Sequence, residues 1–278
     1  MKIIILMILL GVSSCATSGK SKIKNDEGNI INSLQSYQPV KIVEKEIKQK
    51  KQVLKKKEKG YFKKESAVYD VSLKGMNAGT AIIKAEGQKN GKEEFSAHIK
   101  TNSFISMFFK VEHKIKSLWS KSSGSHFFSF NGIEGGVRKN RVQKVDSNKK
   151  IVNISSTEEK EGKKFKKDKI KPWVQPTQDF LSSFFFVRTI NWEKEKIKGF
   201  LVLDNGTVKK VEGVYKGLEE IRVNGKKYLA KIVEVRYRNN NSNFNKFWIT
   251  KDNLLVKIQA NLKIGTMIFE LDKYTKDL

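Results

Sequence analysis

From Ser66 onward, apolar and polar residues alternate in short runs broken by Gly, Asn and Asp. The cleanest run puts Leu254, Val256, Ile258 and Ala260 on one face and Lys257, Gln259 and Asn261 on the other. Period-two alternation of this kind predicts a strand with one buried face. Asp252-Asn253 before it and Lys263 to Gly265 after it suit hairpin turns, and a last strand is predicted from Met267 to Tyr274. The same pattern predicts strands at 68–74, 80–86, 94–101, 110–119, 126–133, 137–145, 150–154, 226–237 and 244–250. Asn90-Gly91, Asn131-Gly132, Asn205-Gly206 and Asn224-Gly225 are turn signals, because both residue types accept the positive φ of a tight hairpin.

One segment departs from this pattern. After Pro176-Thr177-Gln178-Asp179, the residues Phe180, Leu181, Phe184, Phe185 and Val187 have helical spacing. Thr177 reads as the N-cap, Asp179 suits the first turn, and Arg188 suits the last. One principal helix is therefore predicted over about 177–189, and the charged stretch 155–171 reads as an exposed loop. Many strands with one helix predict a mainly β fold: an antiparallel curved sheet, or an open half-barrel, around the helix.

The chain ahead of this domain has a different character. Residues 15–65 are polar and then dominated by lysine, including Lys48, Lys50, Lys51 and Lys55-Lys56-Lys57. Low hydrophobicity with charge of one sign predicts a disordered, solvated tether. Residues 1–14 combine Lys2, an apolar run from Ile3 to Leu10 and small residues leading to Cys15. That is a secretory signal peptide, and its apolar run is far short of the about 20 residues needed to span a bilayer. The ending Val12-Ser13-Ser14-Cys15 matches the lipobox of bacterial lipoproteins, in which the cysteine sulfur takes a diacylglyceryl group. Cys15 is the single cysteine, so no disulfide can form within the chain. The expected organisation is a signal peptide (1–14), a lipid-anchored tether (15–65) and a β-rich domain (66–278). Ala16 in place of Asp after the cysteine points to the outer membrane, facing the periplasm.

The formal net charge of +27 invites a nucleic-acid reading, but the arginines are only Arg138, Arg141, Arg188, Arg222, Arg236 and Arg238. Base-edge recognition leans on arginine, so no nucleic-acid partner is expected. A lysine-rich tether suits anionic lipid head groups or cell-wall polyanions instead.

Catalytic motifs are missing from the sequence. There is no nucleophile elbow, phosphate loop or zinc-helix motif, and no cofactor is implied. His98, His113 and His126 have neither the partners nor the spacing of metal ligands, and His113 reads as a core residue beside Val111 and Ile115. Aromatics are more suggestive. Phe104, Phe108 and Phe109 crowd one region, and Phe180, Phe184, Phe185 and Phe186 crowd the helix. Core packing is one reading; an apolar pocket for an acyl chain is the other. Three consecutive phenylalanines cannot all face inward on a helix, so at least one is expected to be exposed or to touch something else. Phe108, Phe109, Phe184, Phe185 and Phe186 are the candidate ligand contacts.

Several segments, in order, resemble domain-of-unknown-function family 3108 of exported bacterial proteins. They are Tyr69 to Gly75 with Ala78-Gly79-Thr80-Ala81, Lys100 to Ser103 with Phe108 to Val111, and Glu134 to Arg138. Next come Gln178-Asp179-Phe180-Leu181-Ser182 to Arg188-Thr189, Phe247 to Asp252, and Ile264-Gly265-Thr266 to Leu271. Leu73 stands where the pattern has an aromatic, and a proline usual between Asp252 and Ile258 is missing. The resemblance implies a β-rich envelope domain of unestablished activity, distantly similar in outline to half-barrel carriers of acylated proteins. It marks Asp179, Ser182 and Arg188 as motif residues, read as a cap and a sheet-docking contact. The expectation is a non-enzymatic lipoprotein that binds an apolar or amphipathic envelope component. Two alternatives stay open: a structural or assembly lipoprotein with a protein or cell-wall partner, and an envelope hydrolase.

Overall fold

The computed structural model describes residues 61–204, 206–237, 244–262 and 265–277; the signal peptide, Cys15 and nearly all of the tether lie outside them. The described chain begins with β1 (Glu65–Leu73), β2 (Met76–Lys89), β3 (Lys92–Thr101) and a short helix α1 (Ser103–Phe108). Then follow β4 (Val111–Ser120), β5 (Gly124–Glu134), β6 (Val137–Asp146), β7 (Ile151–Lys160) and β8 (Lys163–Pro172). A two-residue strand, β9 (Thr177–Gln178), leads into helix α2 (Phe180–Arg188) and β10 (Ile197–Asp204). The chain ends with β11 (Thr207–Val223), β12 (Lys226–Tyr237), β13 (Phe244–Thr250), β14 (Leu255–Leu262) and β15 (Gly265–Lys276).

Antiparallel pairing runs from β4 through β3, β2 and β1 to β15, and on through β14, β13, β12 and β11 to β10. β4 also pairs with β5 along its whole length. The ring closes through β9, which lies parallel to β5 at Gly124↔Thr177 and parallel to β10 at Leu201↔Thr177. Twelve strands thus form a closed barrel, and β6, β7 and β8 extend from β5 as a three-stranded blade. The open half-barrel expected from the sequence is therefore wrong. The closing element is two residues long, too short to show any alternation. It fits only because Gly124 lacks a side chain: a Cβ there would stand 2.2 Å from the Thr177 carbonyl oxygen.

Other local expectations are corrected in the same way. Helix α2 begins at Phe180 with Asp179 as its N-cap, because Thr177 and Gln178 are taken by the β9 pairing. A second helix, α1, was not anticipated. Residues 155–171 lie in the β7–β8 hairpin rather than a loop. Every residue of β8 is exposed or half-exposed, so that strand has no buried face to impose a hydrophobic period. Strands β10 and β11 were not predicted either. Asn90 and Asn224 do sit in turns at positive φ, 53° and 44°. Asn131-Gly132 instead lies inside β5, where a Cβ on Gly132 would come within 2.4 Å of the Phe130 ring and 2.8 Å of His113.

The inward face of the barrel is apolar, carrying Tyr69, Val71, Phe95, Ile115, Phe247, Ile258 and Phe269, all buried. The outward face carries exposed lysines such as Lys84, Lys114 and Lys116. A barrel that crosses a membrane alternates in the opposite sense, apolar outward. Among the described residues, no helix is long and apolar enough to cross a membrane.

The two ends of the barrel are built differently. At one end lie the turns 90–91, 121–123, 224–225 and 251–254, and α2 fills the interior there. At the other lie the turn Lys74-Gly75, helix α1, the turn Gly135-Gly136, and the terminal residues of β10, β12 and β14.

Candidate functional site

The helix-filled end is held by a buried polar set. Asp179 caps α2 by accepting from the Ser182 backbone N–H at 2.9 Å, while Ser182 Oγ accepts from the Asp179 N–H at 2.9 Å, a reciprocal capping box. The remaining carboxylate oxygen accepts from Ser117 Oγ of β4 at 2.6 Å, and Ser125 of β5 contributes a further hydroxyl. Burial pushes the Asp179 carboxyl above its usual range, against these hydrogen bonds, which favour the ionised form. Beside it, Trp119 Nε1 donates to Gln178 Oε1 at 2.7 Å. The Gln178-Asp179 dipeptide thus stitches the closing strand and the helix onto β4. At the other end of α2, Arg188 pairs with Glu65 of β1 at 2.6 Å and donates to the Asn253 carbonyl, also at 2.6 Å.

Above the helix the interior is not filled. A cavity of about 130 Å³ has its floor on Phe180, Ser183, Phe184 and Val187 of α2. Its walls are Phe200 and Val202 of β10, Val235 of β12 and Phe247 of β13, faced by Phe128 of β5. Towards the strand ends the lining turns polar, with Arg141 and Gln143 of β6, Asp204, Arg236 and Tyr237. The volume is comparable to an engineered apolar cavity of about 150 Å³ that takes up benzene. An apolar interior beneath a charged rim suits an amphipathic molecule.

The rim charges are internally compensated. Asp204, only 7 % exposed, accepts from Lys209 Nζ and from the Tyr237 hydroxyl, the latter at 3.1 Å. Burial first, and Asp204 second, push the Tyr237 hydroxyl far up, so it stays protonated. Arg236 pairs with Glu212 at 2.9 Å. Burial pulls the Arg141 guanidinium down from its usual range while Asp204 opposes that pull. A second buried group sits near the same end: Glu134 Oε2 accepts from Lys139 Nζ at 2.6 Å, and Glu134 Oε1 lies 3.1 Å from His113 Nε2. That last contact is close enough for an ion pair but is too poorly aligned for a hydrogen bond. Burial works against the Glu134 charge, but the His113 ring and the Lys139 ammonium beside it outweigh that and hold the carboxyl below its usual range.

The structure separates the five candidate phenylalanines. Phe184 lies in the cavity floor. Phe185 turns away and stacks on Phe95, with ring centroids 3.7 Å apart and planes 4° apart. Phe186 packs against Phe200 at 5.2 Å. All three therefore pack, because a barrel wall surrounds the helix on every side. Phe109 covers Gly135, and Phe108 is 74 % exposed on α1. Sequence reasoning missed the polar rim of Arg141, Asp204, Arg236 and Tyr237. The only available signal was charge at the ends of alternating runs, which ordinary surface turns share. Among the described residues, no three His, Cys, Asp or Glu side chains converge to hold a metal ion.

The fold and this cavity define a class: a closed, water-facing β-barrel with one internal helix and an apolar chamber at one end. The chain belongs to the family described as a protein of unknown function, DUF3108, whose model matches residues 68–272. A β-barrel-like protein of domain of unknown function DUF1849 from Brucella abortus aligns with a TM-score of 0.55 at 11% identity, covering 78% of this chain and 99% of that one. This likeness shows the fold and supports a barrel over a half-barrel. A putative outer membrane lipoprotein-sorting protein domain from Vibrio parahaemolyticus, at 11% identity over 84% of this chain and 91% of that one, aligns with a TM-score of only 0.20. That value is too low to carry an argument. No curated protein matches the chain.

Proposed function

We propose that this protein is a lipid-anchored, non-enzymatic binding protein of the bacterial envelope, acylated at Cys15, whose barrel holds one hydrocarbon chain of an amphipathic molecule. The observation that carries this reading is the chamber floored by Phe180 and Phe184 and rimmed by Arg141 and Arg236. Its size decides what fits: the terminal part of a chain enters, and the remainder, with an anionic head, stays at the rim. Burying each methylene contributes about 0.8 kcal/mol, so a few of them give measurable affinity. The lipobox ending at Cys15 supports the anchor, and Ala16 supports the outer membrane, facing the periplasm.

Native mass spectrometry of the full acylated chain, together with titration of a fluorescent long-chain fatty acid, tests the chamber. Co-purified lipid or saturable one-to-one binding is expected, with binding lost in Val235→Phe, which fills the chamber. No bound lipid and no saturable binding would remove the carrier reading. For the anchor, Cys15→Ala is expected to release the protein from membranes into the soluble fraction; undiminished membrane retention would contradict it.

A further inference from the structure

Helix α1 presents an apolar face that the fold does not use. Phe104 is 64 % exposed, Met107 73 % and Phe108 74 %. Their spacing of three and four residues puts them on one side of the helix, and the Phe104 and Phe108 rings meet edge-on at 5.5 Å. Met76, at the start of the neighbouring β2, is 64 % exposed. No residue of α1 is buried, so packing does not hold it in place. A six-residue helix is also far too short to persist by itself.

Polar bonds hold it instead. Asn102 caps it by accepting from the Ile105 N–H at 2.9 Å, and its amide donates to the Asn77 carbonyl at 2.9 Å, tying α1 to the start of β2. Thr101 Oγ1 joins Ser106 Oγ at 2.8 Å and accepts from the Val111 N–H at 3.0 Å. A rigid, polar-anchored platform therefore displays three large apolar side chains to solvent.

We infer that α1 is a membrane-contact wedge that seats the open end of the barrel on an anionic lipid bilayer. The flanking charge selects this occupant. Lys100 and Lys110 bracket the helix and Lys74 occupies the adjoining turn, all exposed. Apolar side chains entering the headgroup layer with lysines around them match an anionic lipid surface, to which each lysine adds attraction. Other large exposed apolar residues, such as Ile197, Leu218 and Leu229, lie away from this end, at the start of β10 and in the parts of β11 and β12 next to the turn 224–225. The chain ahead of the barrel fits as well: the fifty residues from Cys15 to Lys64 reach up to about 160 Å when extended, far beyond one barrel height. The wedge shares its end of the barrel with the chamber, since Lys74 N–H bonds the Thr266 carbonyl at 3.0 Å beside the end of β14. Delivery of an acyl chain from bilayer to chamber rests on the proposed function above; the membrane contact itself does not.

The test uses the full chain with Cys15→Ser, which removes the anchor, and a nitroxide on Met107→Cys as the single thiol. The comparison label is on Ser122→Cys, exposed in the turn between β4 and β5 at the opposite end. On vesicles of three parts phosphatidylcholine to one part phosphatidylglycerol, access of an aqueous nickel complex to the label at 107 is expected to fall several-fold. Access at 122 should be unchanged. A label at 107 that stays as accessible on vesicle-bound protein as in solution overturns the inference. So does a label shielded without vesicles in a concentration-dependent way, which would mean a second copy covers the face. Replacing Phe104, Met107 and Phe108 together by Ser is expected to weaken vesicle partitioning about tenfold or more. The unfolding temperature should not change, because none of the three is buried. Adding Val235→Phe separates the two proposals: it abolishes fatty-acid binding while the label at 107 still enters the bilayer.

Discussion

Two buried carboxyls, Asp179 at the helix-filled end and Glu134 at the open end, are treated in opposite ways. Asp179 is surrounded by hydroxyls and backbone N–H, and burial disfavours its charge, whereas Glu65 at the same end is paired with Arg188. At the open end, Glu134 is clamped by Lys139 and lies against His113, which favours its charge, and Asp204 is paired with Lys209. The first arrangement orients a helix and excludes solvent. The second keeps paired charges at the end of the barrel that holds the unfilled chamber. The difference is one of packing as much as of electrostatics: aromatic rings fill one half of the barrel and only line the other.

Removing an aromatic from each half should break the comparison most visibly. Phe185 is 1 % exposed and packed among Phe62, Phe95 and Trp119. Phe185→Ala is expected to cost about 4 kcal/mol and lower the unfolding temperature by about 10 °C. Phe184→Ala, one residue away on the chamber floor, removes a ring that already faces empty space. It should cost about half as much while enlarging the chamber and raising its capacity for longer chains. Thermal unfolding and fatty-acid titration of the pair measure both quantities; equal losses of stability would erase the distinction between the two halves.

A smaller effect is expected at the open end. Glu134→Gln leaves the Lys139 ammonium buried without its counter-charge, which costs about 3 kcal/mol near neutral pH. The folded Glu134 carboxyl lies below its ordinary value of 4.5, so its stabilisation is complete above that value and is lost as pH falls through the lowered one. Urea unfolding from pH 7 down to pH 3 should therefore show the gap between wild type and variant narrowing with acid. A gap independent of pH would mean that the pair is not stabilised as charges.

How much of this was legible in the sequence follows from what each element faces. Strands such as β1, β4 and β14 announce themselves because one face lies inside the barrel and the other in water. β8 has no inside, so KKFKKDKIKP reads as a charged loop although it pairs with β7 along its whole length. Closure was hidden for a different reason: it depends on the two residues of β9 meeting a glycine far away in sequence, at Gly124. The helix was visible from its phenylalanine spacing, but its start was displaced by two residues. Thr177 looks like a cap locally and is taken by the sheet. The rim of the chamber left no pattern, because Arg141, Asp204 and Tyr237 converge from three separated strands. The wedge residues were visible only as crowding; their exposure depends on α1 having no wall to pack against.

The gentlest prediction concerns Asp179, and its sign is opposite to that of Glu134. Asparagine caps a helix about as well as aspartate, so Asp179→Asn keeps the bond from the Ser182 N–H and changes stability at neutral pH by only about 1 kcal/mol. The pH response should change more clearly than the stability. In the folded protein burial raises this carboxyl above its ordinary value of 3.8, so the native state keeps a proton that the unfolded chain has already released. The resulting stabilisation is complete below 3.8 and declines as pH rises through the window up to the raised value. Asp179→Asn carries no such proton, so its stability relative to wild type should increase across that window. Paired urea titrations of Asp179→Asn and Glu134→Gln should therefore diverge from wild type in opposite directions with pH. Slopes of the same sign would show that the two carboxyls are not treated differently, and the contrast between Asp179 and Glu134 would lose its electrostatic basis.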